Sequence, residues 1–200
     1  MDLETIIESS AYFLALINPA SKIFLLSTMD PPYTRRQLWN VSVRSTLVAL
    51  AILIVLIGAG SFLFHAVFRV EIYSLTIAGG VVLFTVGLRA VQKGRFYEES
   101  EMRGEPDITV VPLAAPLIAG PGTIAAAISF STIYGAAETL LYVSLALLVN
   151  LLLMMTSRSV GRFLERFNAT GPLIRITGLI VMAVAVQMIF TGITTWVQTI

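Results

Sequence analysis

The sequence predicts an all-α polytopic membrane protein. Six transmembrane helices form two inverted halves of three, with helices 1 and 4 broken mid-membrane. Of the 200 residues, 56% are hydrophobic and 12% charged, and the mean hydropathy is +0.86. A soluble domain carries about 25% charged residues, so this much apolar surface requires lipid as its solvent. The apolar residues fall in long continuous runs without the period-two alternation of a membrane β-barrel. The basic residues also alternate from one connection to the next, as they do in multi-span proteins.

Each span needs about 20 mostly apolar residues. The first runs from Thr5 to Met29 and is stopped by the two prolines of "DPPYTRR" (Asp30 to Arg36). The N-terminal "MDLETIIESS" is acidic and lacks the basic region of a signal peptide, so this segment is expected to stay as a span. The second span runs from Val41 to Phe64 and the third from Tyr73 to Val91. The hydrophilic segment 92–109 is expected to be a cytoplasmic loop dividing a first repeat, 1–91, from a second, inverted repeat, 110–200. In that second half the spans are Val110 to Ile133, Thr139 to Ser157 and Leu173 to Val197.

Arg35, Arg36 and Arg44 flank the first connection, Arg89, Lys93, Arg95 and Arg103 the third, and Arg158, Arg162, Arg166 and Arg175 the fifth. The second and fourth connections together carry only Arg69. This asymmetry predicts basic connections in the cytoplasm and both termini outside. The net charge of +1 offers no argument for nucleic acid. The chain has no cysteine and a single histidine, His65, so it has no thiol chemistry and no multi-histidine metal site. No cofactor is expected.

Three spans per half let the second half enter the membrane from the opposite side. "LINPASKI" (Leu16 to Ile23) in the first span matches "LIAGPGTI" (Leu117 to Ile124) in the fourth. "TIAGGVVLFTV" in the third matches "RITGLIVMAVA" in the sixth. Pro19 precedes Gly79 by 60 residues and Pro121 precedes Gly178 by 57. The same order at nearly equal spacing indicates an internal repeat.

A proline inside a helix removes a backbone bond and clashes with the preceding turn. In lipid the freed groups must still be satisfied, so such breaks persist where protein or water lines them. A lone proline reads most simply as a kink. Gly120-Pro121-Gly122, matched by Asn18-Pro19 in the other half, reads instead as a binding site between two discontinuous helices. N–H groups near Thr123 and Ile124 would form a nest for a carboxylate, and Gly122 would admit a ligand to the backbone. Carbonyls near Ile118 and Ala119 could accept from an ammonium group. Asn18, Pro19 and Ser21 supply the equivalent parts in the first span. Opposed N–H and C=O groups in an Ala- and Gly-lined pocket suit a small zwitterion.

Lys22 lies one turn beyond Asn18. Snorkelling to the cytoplasmic surface and a gating or coupling role are both open to it. Asn150 and Gln187 sit mid-span; interhelical hydrogen bonding is the plainer reading, and lining or gating the alternative. Gly79, Gly80 and Gly178 suit close helix packing. Arg44, Arg89 and Arg175 suit interfacial anchoring. Glu8 and Glu138 lie near span ends, so no buried carboxylate is available for proton coupling.

The segments "VPLAAPLIAGPGTI", "IAGGVVLF" and "RITGLIVMAVAVQMIFTGI" resemble the MarC family of six-span membrane proteins. The resemblance extends over the third, fourth and sixth spans and more weakly over the first. It implies a prokaryotic inner-membrane protein related to small neutral amino acid transporters, with glycine and alanine as typical substrates and the proton gradient as a coupling source. The family's first-span pattern reads roughly Asp or Asn, Pro, any residue, Gly, two residues, Pro. Asn18 and Pro19 fit it, whereas Ser21 and Phe24 stand where Gly and Pro are usual, and Lys22 adds a charge.

The expected function is therefore secondary transport of small neutral amino acids by alternating access. The expected site is Asn18, Pro19, Ser21, Ala119, Gly120, Pro121, Gly122 and Thr123, with Lys22, Asn150 and Gln187 as candidate gating or coupling residues. Export of another small solute or drug is one alternative, although a divalent cation would want buried oxygen anions. A non-transport membrane scaffold is another. An enzyme is not expected; a Ser–Lys pair using Lys22 with Ser21 or Ser27 is the one arrangement left open. The oligomeric state is open.

Overall fold

The computed structural model describes residues 2–27, 33–62, 69–94, 113–114, 118–166 and 169–199. They form α1 (Leu3–Ile17), α2 (Pro19–Ser27), α3 (Arg35–Phe62), α4 (Ile72–Lys93), α5 (Pro121–Ile133), α6 (Ala136–Met155), α7 (Ser157–Arg166) and α8 (Thr170–Thr199). No strand occurs among the described residues. Among the described residues, five segments are long and apolar enough to cross a membrane: Leu3–Ser27, Arg35–Ala59, Ile72–Lys93, Ala136–Met155 and Gly171–Thr199. The fourth expected span, 110–133, is represented by the shorter α5 and by residues 113–114 and 118–120. His65, residues 30–32 of the first turn and residues 95–109 of the hydrophilic loop lie outside the described residues.

Several boundaries follow from local chemistry. A proline disfavours the α conformation in the residue before it. Asn18 accordingly takes left-handed angles (φ 55, ψ 75), closing α1 through its N–H on the Leu14 carbonyl at 2.9 Å, and α2 restarts at Pro19. Helix α3 begins six residues earlier than hydropathy predicts, because Thr34 and Gln37 form a capping box. The Thr34 N–H donates to Gln37 Oε1 at 2.9 Å and the Gln37 N–H to Thr34 Oγ1 at 3.3 Å. Helix α4 ends on a left-handed Gly94.

Ser27 at the end of α2 packs on Gly161 of α7, and Gly94 after α4 lies beside Arg175 of α8. The ends bordering the arginine-rich connections therefore gather at one end of the bundle. Toward the other end, Phe13 and Tyr12 of α1 pack on Phe130 of α5 with ring centroids 5.0 and 5.5 Å apart, and Tyr134 packs on Tyr142 of α6 at 6.1 Å. Large apolar side chains such as Val55, Leu152, Ile180 and Phe190 face outward, as a lipid solvent requires.

Helices α4 and α8 run antiparallel along a glycine seam. A Cβ on Gly80 would lie 2.8 Å from the Ala185 carbonyl oxygen, one on Gly87 2.8 Å from the Gly178 oxygen, and one on Gly178 2.9 Å from the Gly87 oxygen. The expected packing role of Gly80 and Gly178 is thus observed, with Gly87 added. Gly58 of α3, by contrast, has nothing within 4 Å of its would-be Cβ. Removing a helical glycine favours the helix by about 0.5–1 kcal/mol, but backbone atoms at the seam cannot move aside. Gly87→Ala should destabilise the protein by about 1–3 kcal/mol, whereas Gly58→Ala should be neutral or stabilising; thermal unfolding of the two variants in one detergent checks the contrast.

Candidate functional site

At the first break the chain satisfies its own carbonyls. The Asn18 oxygen accepts from the Ser21 N–H at 3.2 Å, from Ser21 Oγ at 2.8 Å and from Lys22 Nζ at 3.2 Å. Lys22 Nζ also donates to the Ile17 carbonyl. Lys22 is fully buried, and its side chain turns back toward the break. It does not snorkel to the basic end of the bundle. Both acceptors, the Ile17 and Asn18 carbonyls, lie at the negative end of the α1 dipole. Asn18 and Ser21 are buried with it, and Pro19 is half-buried.

The second break is the mirror case, rich in donors. Ala119 donates to the Ala114 carbonyl at 2.9 Å, across five residues. Gly120 is extended (φ −79, ψ 167), and α5 restarts with Pro121 as its first residue, a position where the missing N–H costs nothing. Ile124 donates to the Gly120 oxygen at 2.8 Å. The expected nest at Thr123 and Ile124 is therefore shifted by one residue: the N–H groups of Gly122 and Thr123 are those without a backbone acceptor among the described residues. Gly120, Gly122, Thr123 and Ala119 are buried, while the Pro121 ring is exposed.

The two breaks share a core. Leu16 and Ile17 before the first, and Ile118 and Ala119 before the second, belong to one buried cluster with Ala125, Ala126, Ala127 and Met188. Leu83 of α4 links them: it packs against the cluster containing Phe24 of α2, and its Cδ2 lies 3.3 Å from the Cβ position of Gly122. With α2 of 9 residues and α5 of 13, the breaks lie about 14 and 20 Å from the outer ends of those helices, inside a hydrocarbon layer of about 30 Å.

Asn150 is fully buried in α6, but among the described residues its amide reaches only Met154 Sδ, at 3.2 Å in its own helix, and Oδ1 has no partner, so no interhelical bond is formed among them. Gln187 is exposed on the outer face of α8 and is not brought to either break. A buried unpaired carbonyl costs about 1–3 kcal/mol, so Asn150→Leu should raise thermal stability by roughly that amount, measured by unfolding in detergent.

A feature that sequence reasoning missed lies at the basic end. Arg35, Trp39, Arg158 and Arg162 line a cavity of about 460 Å³, and a neighbouring one of about 170 Å³ reaches Ser157. The available signal was the spacing of Arg158, Arg162 and Arg166 on one helical face.

The model of the family described as MarC family integral membrane protein matches residues 3–197. A UPF0056 membrane protein of Pyrococcus horikoshii is 31% identical over 190 residues, covering 95% of this chain and 94% of the relative. The UPF0056 membrane protein YhcE of Escherichia coli is 29% identical over 206 residues, covering 96% and 95%. YvbG of Bacillus subtilis is 27% identical over 190 residues. No solved structure matches the chain.

Proposed function

Because the chain belongs to the MarC family of integral membrane proteins, we propose that it is a secondary transporter of small neutral amino acids, glycine and alanine foremost. The observation that carries this reading is the pair of helix interruptions in one buried core. One presents carbonyls, at Ile17 and Asn18, and the other presents N–H groups, at Gly122 and Thr123. A zwitterion needs both. The carboxylate meets the α5 N-terminus, where the dipole favours an anion. The ammonium meets the α1 C-terminus, where Lys22 now sits, so Lys22 is a tethered ammonium that must leave for substrate to bind.

In this reading six spans form a 3+3 inverted repeat, the basic end faces the cytoplasm, and the termini lie outside. The antiparallel α4–α8 seam supports it, since the third and sixth spans of an inverted repeat run in opposite directions. Access alternates as the halves rock about the breaks. Proton coupling is part of the proposal and does not require a mid-span carboxylate, because the Lys22 ammonium is itself a titratable group inside the membrane.

Counterflow in proteoliposomes, with and without a pH gradient, tests it. Labelled glycine or alanine should exchange through reconstituted protein and not through empty vesicles. Absence of binding and flux for every small amino acid, in protein that melts cooperatively, would sink the proposal.

A further inference from the structure

We propose that the cavity at the basic end of the bundle binds a phosphate-bearing anion, independently of the transport site. Arg35 at the start of α3 and Arg158 and Arg162 of α7 line it, and its described lining holds no acidic side chain. None of the three has a carboxylate partner among the described residues; Arg162 Nε donates to the Arg158 carbonyl at 3.3 Å. The three guanidinium groups are exposed around a single concavity, where an anion would offset their mutual repulsion. Their planar donor forks match phosphate oxygens.

Two further observations point to the same ligand. Helix α7 begins at this wall; the N–H groups of Ser159 and Val160 donate to the Thr156 carbonyl at 2.9 and 3.0 Å, which leaves those of Ser157 and Arg158 without a backbone acceptor among the described residues at the positive end of the helix. Ser157, its first residue, is 1% exposed, lines the adjoining cavity and has no hydrogen-bond partner for Oγ among the described residues. A buried hydroxyl without a partner is rare in a finished structure, and a phosphate oxygen would supply the acceptor it lacks.

The volume of about 460 Å³ is in the range of small-molecule sites and accommodates more than an inorganic ion. Trp39, 55% exposed at the rim, is the kind of side chain that sits at headgroup level. The phosphate can therefore come from an anionic phospholipid headgroup or from solution, and the test separates them.

Purified full-length protein is placed in nanodiscs of phosphatidylcholine alone or with phosphatidylglycerol, and retention of phosphatidylglycerol is read by native mass spectrometry. In parallel, inorganic phosphate is titrated in detergent and followed by thermal shift. Wild type should retain phosphatidylglycerol over phosphatidylcholine, or be stabilised by phosphate, and the arm that responds identifies the source. Arg158→Gln/Arg162→Gln should weaken that response at least tenfold. Ser157→Ala, which leaves the charge intact, should weaken it several-fold. Arg166→Gln, a basic residue of α7 outside the lining, should leave it unchanged. A response equal in Arg166→Gln and the double variant, or none in either arm for wild type, overturns the proposal.

Discussion

Lys22→Met is expected to bind glycine roughly ten- to a hundredfold more tightly than wild type. The Lys22 ammonium donates to the Ile17 and Asn18 carbonyls, the groups assigned above to the substrate ammonium. Hydrogen bonds from a charged donor contribute about 1.5–3 kcal/mol, and removing such a competitor changes an apparent dissociation constant by about tenfold per 1.4 kcal/mol. Met keeps the length and apolar stem of Lys, so packing survives. The Asn18 oxygen keeps both Ser21 donors, which limits the structural cost. Tighter binding should come with loss of concentrative uptake, because a substrate whose seat is never reclaimed is released slowly. Equilibrium binding and pH-driven uptake, measured on the same preparation, give the two numbers. Weaker binding in Lys22→Met would mean that Lys22 holds the substrate's carboxylate, and unchanged binding would mean that it is only structural; either removes the gate.

How much of this was legible follows from which forces act locally. Long apolar runs were readable because lipid leaves the backbone no other option. Both breaks were readable because proline and the residue before it have restricted angles whatever surrounds them. The capping box at Thr34 and Gln37 was equally local and shows why hydropathy alone places the start of α3 at Val41: charged first-turn residues lower the hydropathy without ending the helix. Lys22 was not decidable. The same stem reaches the surface or curls back, and the choice depends on the α1 terminus that tertiary structure places beside it. Gly58 and Gly87 likewise read alike in sequence. Only the approach of α8 makes one replaceable and the other not. The Arg35–Arg158–Arg162 cavity was hidden for a different reason. Its arginines are scattered over two connections, and each was already accounted for by membrane orientation.

Gly122→Ala should lower glycine binding by about tenfold while changing stability by less than about 1 kcal/mol, and Gly122→Leu should abolish binding. A Cβ on Gly122 would meet Leu83 Cδ2 at 3.3 Å, Leu83 Cβ at 3.6 Å and Met188 Sδ at 3.7 Å. The closest of these is the movable end of a side chain, so one methyl displaces it by a few tenths of an ångström. In the proposed site the added methyl would nonetheless crowd a carboxylate that has to approach the backbone at Gly122. Losing good contact with a charge-assisted donor converts to about tenfold per 1.4 kcal/mol. Leu adds bulk between Leu83 and Met188 and brings an overpacking cost of about 1–3 kcal/mol, so its loss of binding alone could reflect the fold. Ala removes that ambiguity. Gly79 supplies the structural comparison: its added Cβ would lie 3.0 Å from the Pro121 carbonyl oxygen, a backbone atom, so Gly79→Ala should lose stability first. The discriminating result is a Gly122→Ala protein with a normal melting curve and impaired binding. If it binds glycine as wild type does, the α5 terminus is not the carboxylate seat, and the two breaks lose their assignment as opposed halves of one site.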